Sequence, residues 1–309
     1  MTVIIQVGIM SLLIGVGFLC GKVKIITAES SKCLSDLALK VATPALLIAS
    51  FQKDLSPEKL AGLGWACVLA LAAFVVCIGA GYLTIRAGGD RDKQAIERFS
   101  AIYSNCAFMG IPLINGIYGE EGVFYLTAFY ALFNILVWSH GAIMMNGGGG
   151  LKSLLHALKA PALISVFVGV ILFLCQIRLP DFILQTLTYA GNLNTPLGML
   201  VAGATIAWTD LVKALKKGKI YYISLIRLLV IPVIVIFLVQ LFPCDPMIKG
   251  VTVASAACPT ATICTMFAVS FKKDSLYASE IFAVCTVLSM ATLPVVMWLF
   301  ELISQALGA

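Results

Sequence analysis

The chain is poor in charge. Only 12% of its 309 residues are Asp, Glu, Lys or Arg, where a soluble domain carries about a quarter. With 61% apolar residues and a mean hydropathy of +1.02, it has more apolar surface than a polar shell could cover. A water-soluble globular protein is excluded, and lipid is expected to be the solvent for most of the chain. Histidine is equally scarce: the two, His140 and His156, leave few parts for a catalytic centre. There is no H-E-x-x-H or G-x-S-x-G run, and no pair of acids lies at mid-span to chelate a metal. No enzyme, metal or cofactor is expected. None of the ten cysteines stands in a C-x-x-C pair or a Cys/His cluster, so they read as small buried hydrophobes. The net charge of +6 might suit a nucleic acid, but the basic residues fall in short loops between apolar runs, and no nucleic-acid partner is expected.

What is present is a series of apolar runs. A bilayer core needs about 20 apolar residues per helix. That length places spans near 3–20, 33–51, 61–85, 99–117, 122–145, 160–177, 185–208, 220–242, 248–271 and 277–303. The first run lacks a basic leader and an A-x-A-like cleavage site, so it reads as a retained span. Alternate loops at 22–32, 86–98, 152–159, 213–219 and 272–273 hold fifteen of the 21 basic residues, and the opposite loops hold Lys53, Lys59, Arg178 and Lys249. Cytoplasmic loops are the basic ones. The expectation is an all-α, ten-span, multi-pass protein of the plasma membrane (a bacterial inner membrane) with both termini outside.

Asn146–Gly150 reads N-G-G-G-G, a flexible linker. It divides residues 1–146 from 151–309, with 147–150 between them and five spans on each side. Because five is odd, a duplicated second half must lie inverted relative to the first. Echoes support duplication: Thr43-Pro44 in span 2 matches Thr195-Pro196 in span 7, and Ile111-Pro112 in span 4 matches Cys258-Pro259 in span 9.

Proline removes a backbone donor and clashes with the preceding turn. Lipid cannot satisfy the freed groups, so a broken helix survives only inside protein or beside water. Gly110-Ile111-Pro112 and Cys258-Pro259-Thr260 are the expected break points. Paired breaks in corresponding spans mark the substrate site of an inverted-repeat transporter, and two half-helix N-termini meeting at mid-membrane favour an anion. Ser104, Asn105, Thr260, Thr262 and Thr265 flank the breaks. Asn105 is suited to a carboxylate or to freed carbonyls. His140 reads as a packing residue. Lys40 can pair with Asp36 one turn earlier; a charge within a span, as at Lys40 and Arg227, points to function, with snorkelling to the cytoplasmic face the alternative for both. The lack of a mid-span Asp or Glu argues against a buried proton relay. Sodium held by backbone and hydroxyl oxygens stays open, as does a membrane sensor that binds a metabolite without moving it. A sensor would carry an output segment, and the loops and the tail after Phe300 are short for one.

At the expected breaks the chain resembles a known family. Asn105-Cys106-Ala107-Phe108-Met109-Gly110-Ile111-Pro112-Leu113, followed by Tyr118-Gly119-Glu120-Glu121, is similar to the fourth-helix signature of the auxin efflux carriers. Residues 195–203, 257–261 and the stretch to Pro294 resemble that family's seventh, ninth and tenth helices. The resemblance implies two inverted five-helix repeats with crossed, proline-broken helices 4 and 9, as in bile-acid sodium symporters. It implies a scaffold from helices 1, 2, 6 and 7 and an elevator-like transport domain from helices 3–5 and 8–10. It further implies a homodimer in membrane lipid that carries a small organic anion. The candidate substrate site is then Ser104, Asn105, Ile111, Pro112, Pro259 and Thr260, faced on the scaffold side by Thr43, Pro44, Thr195 and Pro196. The long loop of many plant members is replaced here by the glycine linker, so a bacterial-type permease is the nearer comparison.

Overall fold

The computed structural model describes residues 2–86, 90–146 and 161–307. The glycine run at 147–150, with Lys152, His156 and Lys159, lies outside the described residues. The described chain is helical throughout, with no strand beyond one isolated two-residue bridge. Its elements are α1 (Thr2–Lys22), α2 (Ala28–Ser50), α3 (Pro57–Thr84), α4 (Arg91–Ile102), α5 (Cys106–Asn146), α6 (Pro161–Leu174), α7 (Asp181–Asn192), α8 (Asn194–Trp208), α9 (Leu211–Ala214), α10 (Gly218–Gln240), α11 (Pro246–Ala257), α12 (Ile263–Ser270) and α13 (Ser275–Ala306). Six of them, α1, α2, α3, α5, α10 and α13, are long and apolar enough to cross a membrane. That makes the chain a multi-pass membrane protein.

Three prolines inside these helices cause no break, for one shared reason. Pro44, Pro112 and Pro232 each stand two residues after a five-residue wide turn: Ala38–Ala42, Cys106–Gly110 and Ile226–Val230. In a wide turn the N–H reaches back five residues instead of four, as Ile111 N–H does to the Cys106 carbonyl. The widened turn gives room for the proline ring, which otherwise strikes the carbonyl four residues earlier. The expectation that Gly110-Ile111-Pro112 breaks its helix is therefore corrected. Helix α5 runs through Pro112, and the break lies upstream at Tyr103–Asn105. Within α5 the chain turns sharply at Gly119, whose φ of 65° and ψ of −160° suit only glycine.

Close packing uses small residues. Helices α1 and α8 touch backbone to backbone, where Gly17 and Gly21 on α1 meet Leu200, Ala204 and Ala207. Such small-x-x-x-small seams let helices approach where lipid supplies no hydrophobic drive. A Cβ on Gly203 would run into the Ile14 carbonyl and stand 2.6 Å from Phe18 N. Gly203→Ala is therefore expected to cost about 1–3 kcal/mol by overpacking. Thermal unfolding of the purified protein in detergent reads this; an unchanged midpoint would contradict the packing. Helices α6 and α7 close on the second half of α2, with Gly169 against Phe51 and Gly191 against Leu46. Phe51, Phe124 and Phe173 form a cluster of edge-on rings linking α2, α5 and α6. At one end of α4, Lys219 pairs with Glu97 at 3.4 Å, Tyr277 donates to Glu97 at 3.0 Å, and Lys217 pairs with the buried Glu280.

Candidate functional site

Two interruptions meet in the middle of the fold. The first separates α4 from α5 at Tyr103–Asn105; the second separates α11 from α12 at Cys258–Thr262. Both run extended and antiparallel, bridging Ser104 to Thr260. Asn105 N–H donates to the Pro259 carbonyl at 2.7 Å, and Ala261 N–H donates to the Tyr103 carbonyl at 2.9 Å. Each break thus pairs its backbone with the other, which is how unwound chain is tolerated away from water. Ser104, Asn105 and Thr260 are each 2% exposed or less.

The carbonyls freed at the end of α4 can be traced one by one, and those of Ala256 and Cys258 at the end of α11 with them. A helix ends with four carbonyls lacking a partner in the helix. At the end of α4, the Phe99 carbonyl accepts from Tyr103 N–H, and the Ser100 carbonyl accepts from the Thr260 hydroxyl at 3.0 Å. The Ala101 and Ile102 carbonyls accept from Arg227 Nη1 at 3.1 and 3.0 Å. At the end of α11, the Cys258 carbonyl accepts from Arg227 Nε at 3.1 Å, and the Ala256 carbonyl accepts from Arg227 Nη2. One guanidinium caps both helix C-termini. Arg227 does not snorkel: it is 0% exposed and donates to four backbone carbonyls.

The opposite helix ends face the same place. Asn105 is the N-cap of α5, its Oδ1 accepting from Phe108 N–H at 3.4 Å, and Thr262 precedes α12. A helix N-terminus carries about half a positive charge and a C-terminus about half a negative one. Since Arg227 neutralises the two C-termini, the two N-termini are left uncompensated and the local potential is positive. Two side-chain groups here are buried without a partner: Ser104 Oγ and Asn105 Nδ2. A third, Thr265 Oγ1, lies in the first turn of α12. Each unsatisfied buried group costs about 1–3 kcal/mol, which a ligand accepting their hydrogens would recover.

The expected residues divide into three groups. Ser104, Asn105, Pro259 and Thr260 come together at the paired breaks. Ile111 and Pro112 are buried about two turns further along α5, where the Pro112 carbonyl accepts from Gln6 of α1 at 3.0 Å. Thr43 is buried in α2 and accepts from Asn194 Nδ2 at 2.6 Å, while Pro44, Thr195 and Pro196 beside this pair are half-buried. One turn after Asn194, Gly198 of α8 lies against Phe108, so α8 rests on the wide turn that follows Asn105. His140 bridges two tyrosines, Nδ1 to Tyr103 Oη at 2.7 Å and Nε2 to Tyr82 Oη at 3.1 Å. Lys40 pairs with Asp36 at 3.0 Å near the surface. Asn194 escaped the sequence-based expectations; Arg227 was singled out as a charge within an apolar span, but not as the cap of both breaks. A cleft of about 760 Å³ around Gln240–Pro246 and Lys249 does not reach the breaks.

Comparison with known sequences shows the family. The family model described as membrane transport protein matches residues 2–297. The chain belongs to this family. It is the auxin efflux carrier family to which the sequence motifs point, and its members are transporters, not enzymes. An uncharacterized transporter of Methanocaldococcus jannaschii is 25% identical over 292 residues, covering 90% of this chain and 92% of the relative. Another, from Methanothermobacter thermautotrophicus, is 27% identical over 291 residues, covering 91% and 93%.

Proposed function

We propose that this member of the membrane transport protein family is a secondary carrier of small carboxylates, binding them at the paired breaks. The observation that carries this reading is the pair of unpartnered donors, Ser104 Oγ and Asn105 Nδ2, buried where two helix N-termini converge. A carboxylate accepts hydrogen bonds only, and it matches a site that offers donors within positive potential. Arg227, Thr260 and Ala261 already take the Ala101, Ile102, Ala256, Cys258, Ser100 and Tyr103 carbonyls freed by the breaks.

The reading extends to architecture. Helix α4 with α5 as far as Tyr118 would be the fourth of ten spans, the rest of α5 the fifth, α7–α8 the seventh and α11–α12 the ninth. Two inverted repeats would follow. Their scaffold would be α1, α2 and α6–α8, and their moving domain α3–α5 and α10–α13. The seam of α1 with α8 and the packing of α6 and α7 on α2 support the grouping. In this scheme the moving domain slides past α8 as an elevator, the termini lie outside the bacterial inner membrane, and two copies form the homodimer.

The test is substrate-evoked current from purified protein in liposomes on a solid-supported membrane. Mono- and dicarboxylates are expected to evoke current, while neutral and cationic analogues of similar size evoke none. Binding of a carboxylate with no current and no tracer flux would replace the carrier with a sensor.

A further inference from the structure

Carriers with discontinuous helices commonly divide their charges, placing anionic substrate at half-helix N-termini and a coupling cation at freed carbonyls and half-helix C-termini. In this chain that second position is filled by the protein itself. The Arg227 guanidinium takes the Ala101 and Ile102 carbonyls from α4 and the Ala256 and Cys258 carbonyls from α11. These are the oxygens that a cation at the crossing would use. None of the ion pairs among the described residues involves Arg227; its charge faces the dipoles of these four carbonyls. A guanidinium is planar and only donates hydrogen bonds. Its fork of five donors also suits it to span two helix ends.

We propose that Arg227 is a built-in counter-cation that replaces the coupling sodium of a symporter. It makes loading of the site independent of Na⁺ and sets the sign of the substrate as negative. This rests on the carboxylate-carrier reading and adds the residue that fixes its ion requirement. Arg227 is a positioning residue in this scheme: it acts through the potential and geometry of the two breaks.

The test compares wild type with Arg227→Met and Arg227→Lys. Thermal unfolding is measured in NaCl and in choline chloride with no carboxylate present. Wild type is expected to unfold at the same temperature in both salts. Arg227→Met leaves four carbonyls without a cation, so Na⁺ is expected to raise its unfolding temperature by several degrees, saturably, through preferential binding to the folded state. Arg227→Lys keeps the charge, and is expected to stay indifferent to Na⁺ and to retain part of the carboxylate current. Wild-type current is expected to persist when choline replaces Na⁺. Stabilisation of the wild type by Na⁺, loss of its current in choline, or a folded Arg227→Met blind to Na⁺ would each overturn the proposal. If Arg227→Met does not fold, Na⁺ dependence in wild type or Arg227→Lys is still decisive against it, and its absence in both supports it. Should wild type neither bind nor move any carboxylate, the carrier reading fails, while the thermal measurements still decide whether Arg227 occupies a cation site.

Discussion

Asn105→Ala is expected to reduce carboxylate transport by roughly ten- to hundredfold, the cost of one hydrogen bond to a charged group at about 1.5–3 kcal/mol. The side chain has two roles, and they can be separated. Its Oδ1 caps the first turn of α5 at Phe108 N–H, while its Nδ2 stands buried and unpartnered. Alanine removes both, and loss of the cap alone costs about 0.5–2 kcal/mol of stability. Asn105→Asp keeps a capping oxygen, and a negative charge there suits the helix N-terminus. The aspartate variant should therefore unfold near the wild-type temperature, yet transport no better than alanine, because it has lost the donor and repels the anion. A transport-competent aspartate variant would remove Asn105 from the substrate site and leave it a helix cap.

How far the sequence reveals this site depends on the range of the forces involved. Membrane residence follows from hydropathy summed over about twenty neighbours, so α1, α2, α3, α10 and α13 were legible, whereas the long α5 was expected as two spans, 99–117 and 122–145. The meeting of Ser104 and Asn105 with Pro259 and Thr260 was legible too, because polar residues beside a helix breaker in an apolar run have few places to go. The position of the first break was not. A proline marks a lost hydrogen bond, but the structure has two remedies, unwinding or a wide turn, and Pro112 uses the second. The unwound segment sits instead at Tyr103–Asn105, where the chain can pair with Pro259 and Ala261 from the other half. Which stretch of the first half unwinds to make that pairing is decided at long range and leaves no local trace. The role of Arg227 was hidden for the same reason, although its charge within an apolar span was plain. Its partners are four carbonyls, which every residue has, so no motif announces them. Asn194 was passed over beside the more conspicuous Thr195-Pro196, although Thr43, its partner, had been singled out.

Gly198→Leu is expected to abolish transport while leaving carboxylate binding within a fewfold of wild type. Gly198 is where α8 comes closest to the turn after Asn105: a Cβ there would lie 2.9 Å from the Phe108 ring and 3.3 Å from the Phe108 carbonyl. The ring can yield a little to a methyl group, so Gly198→Ala should be mild. A leucine must displace either the ring or the backbone of the turn, and packed interfaces shift between discrete arrangements more readily than they deform. In the elevator scheme this surface slides during each cycle, so added bulk acts on the moving step and not on the donors at Ser104 and Asn105. Binding by isothermal calorimetry and flux by tracer uptake separate the two effects. Loss of binding together with flux would mean that Gly198 shapes the site itself. Normal flux would place the sliding surface elsewhere, and the assignment of α8 to a fixed scaffold would have to be abandoned. The alanine variant sharpens the outcome: a graded fall from glycine through alanine to leucine follows steric volume, whereas a loss already complete at alanine would point to helix–helix packing, since the same substitution at Gly203 acts only through stability.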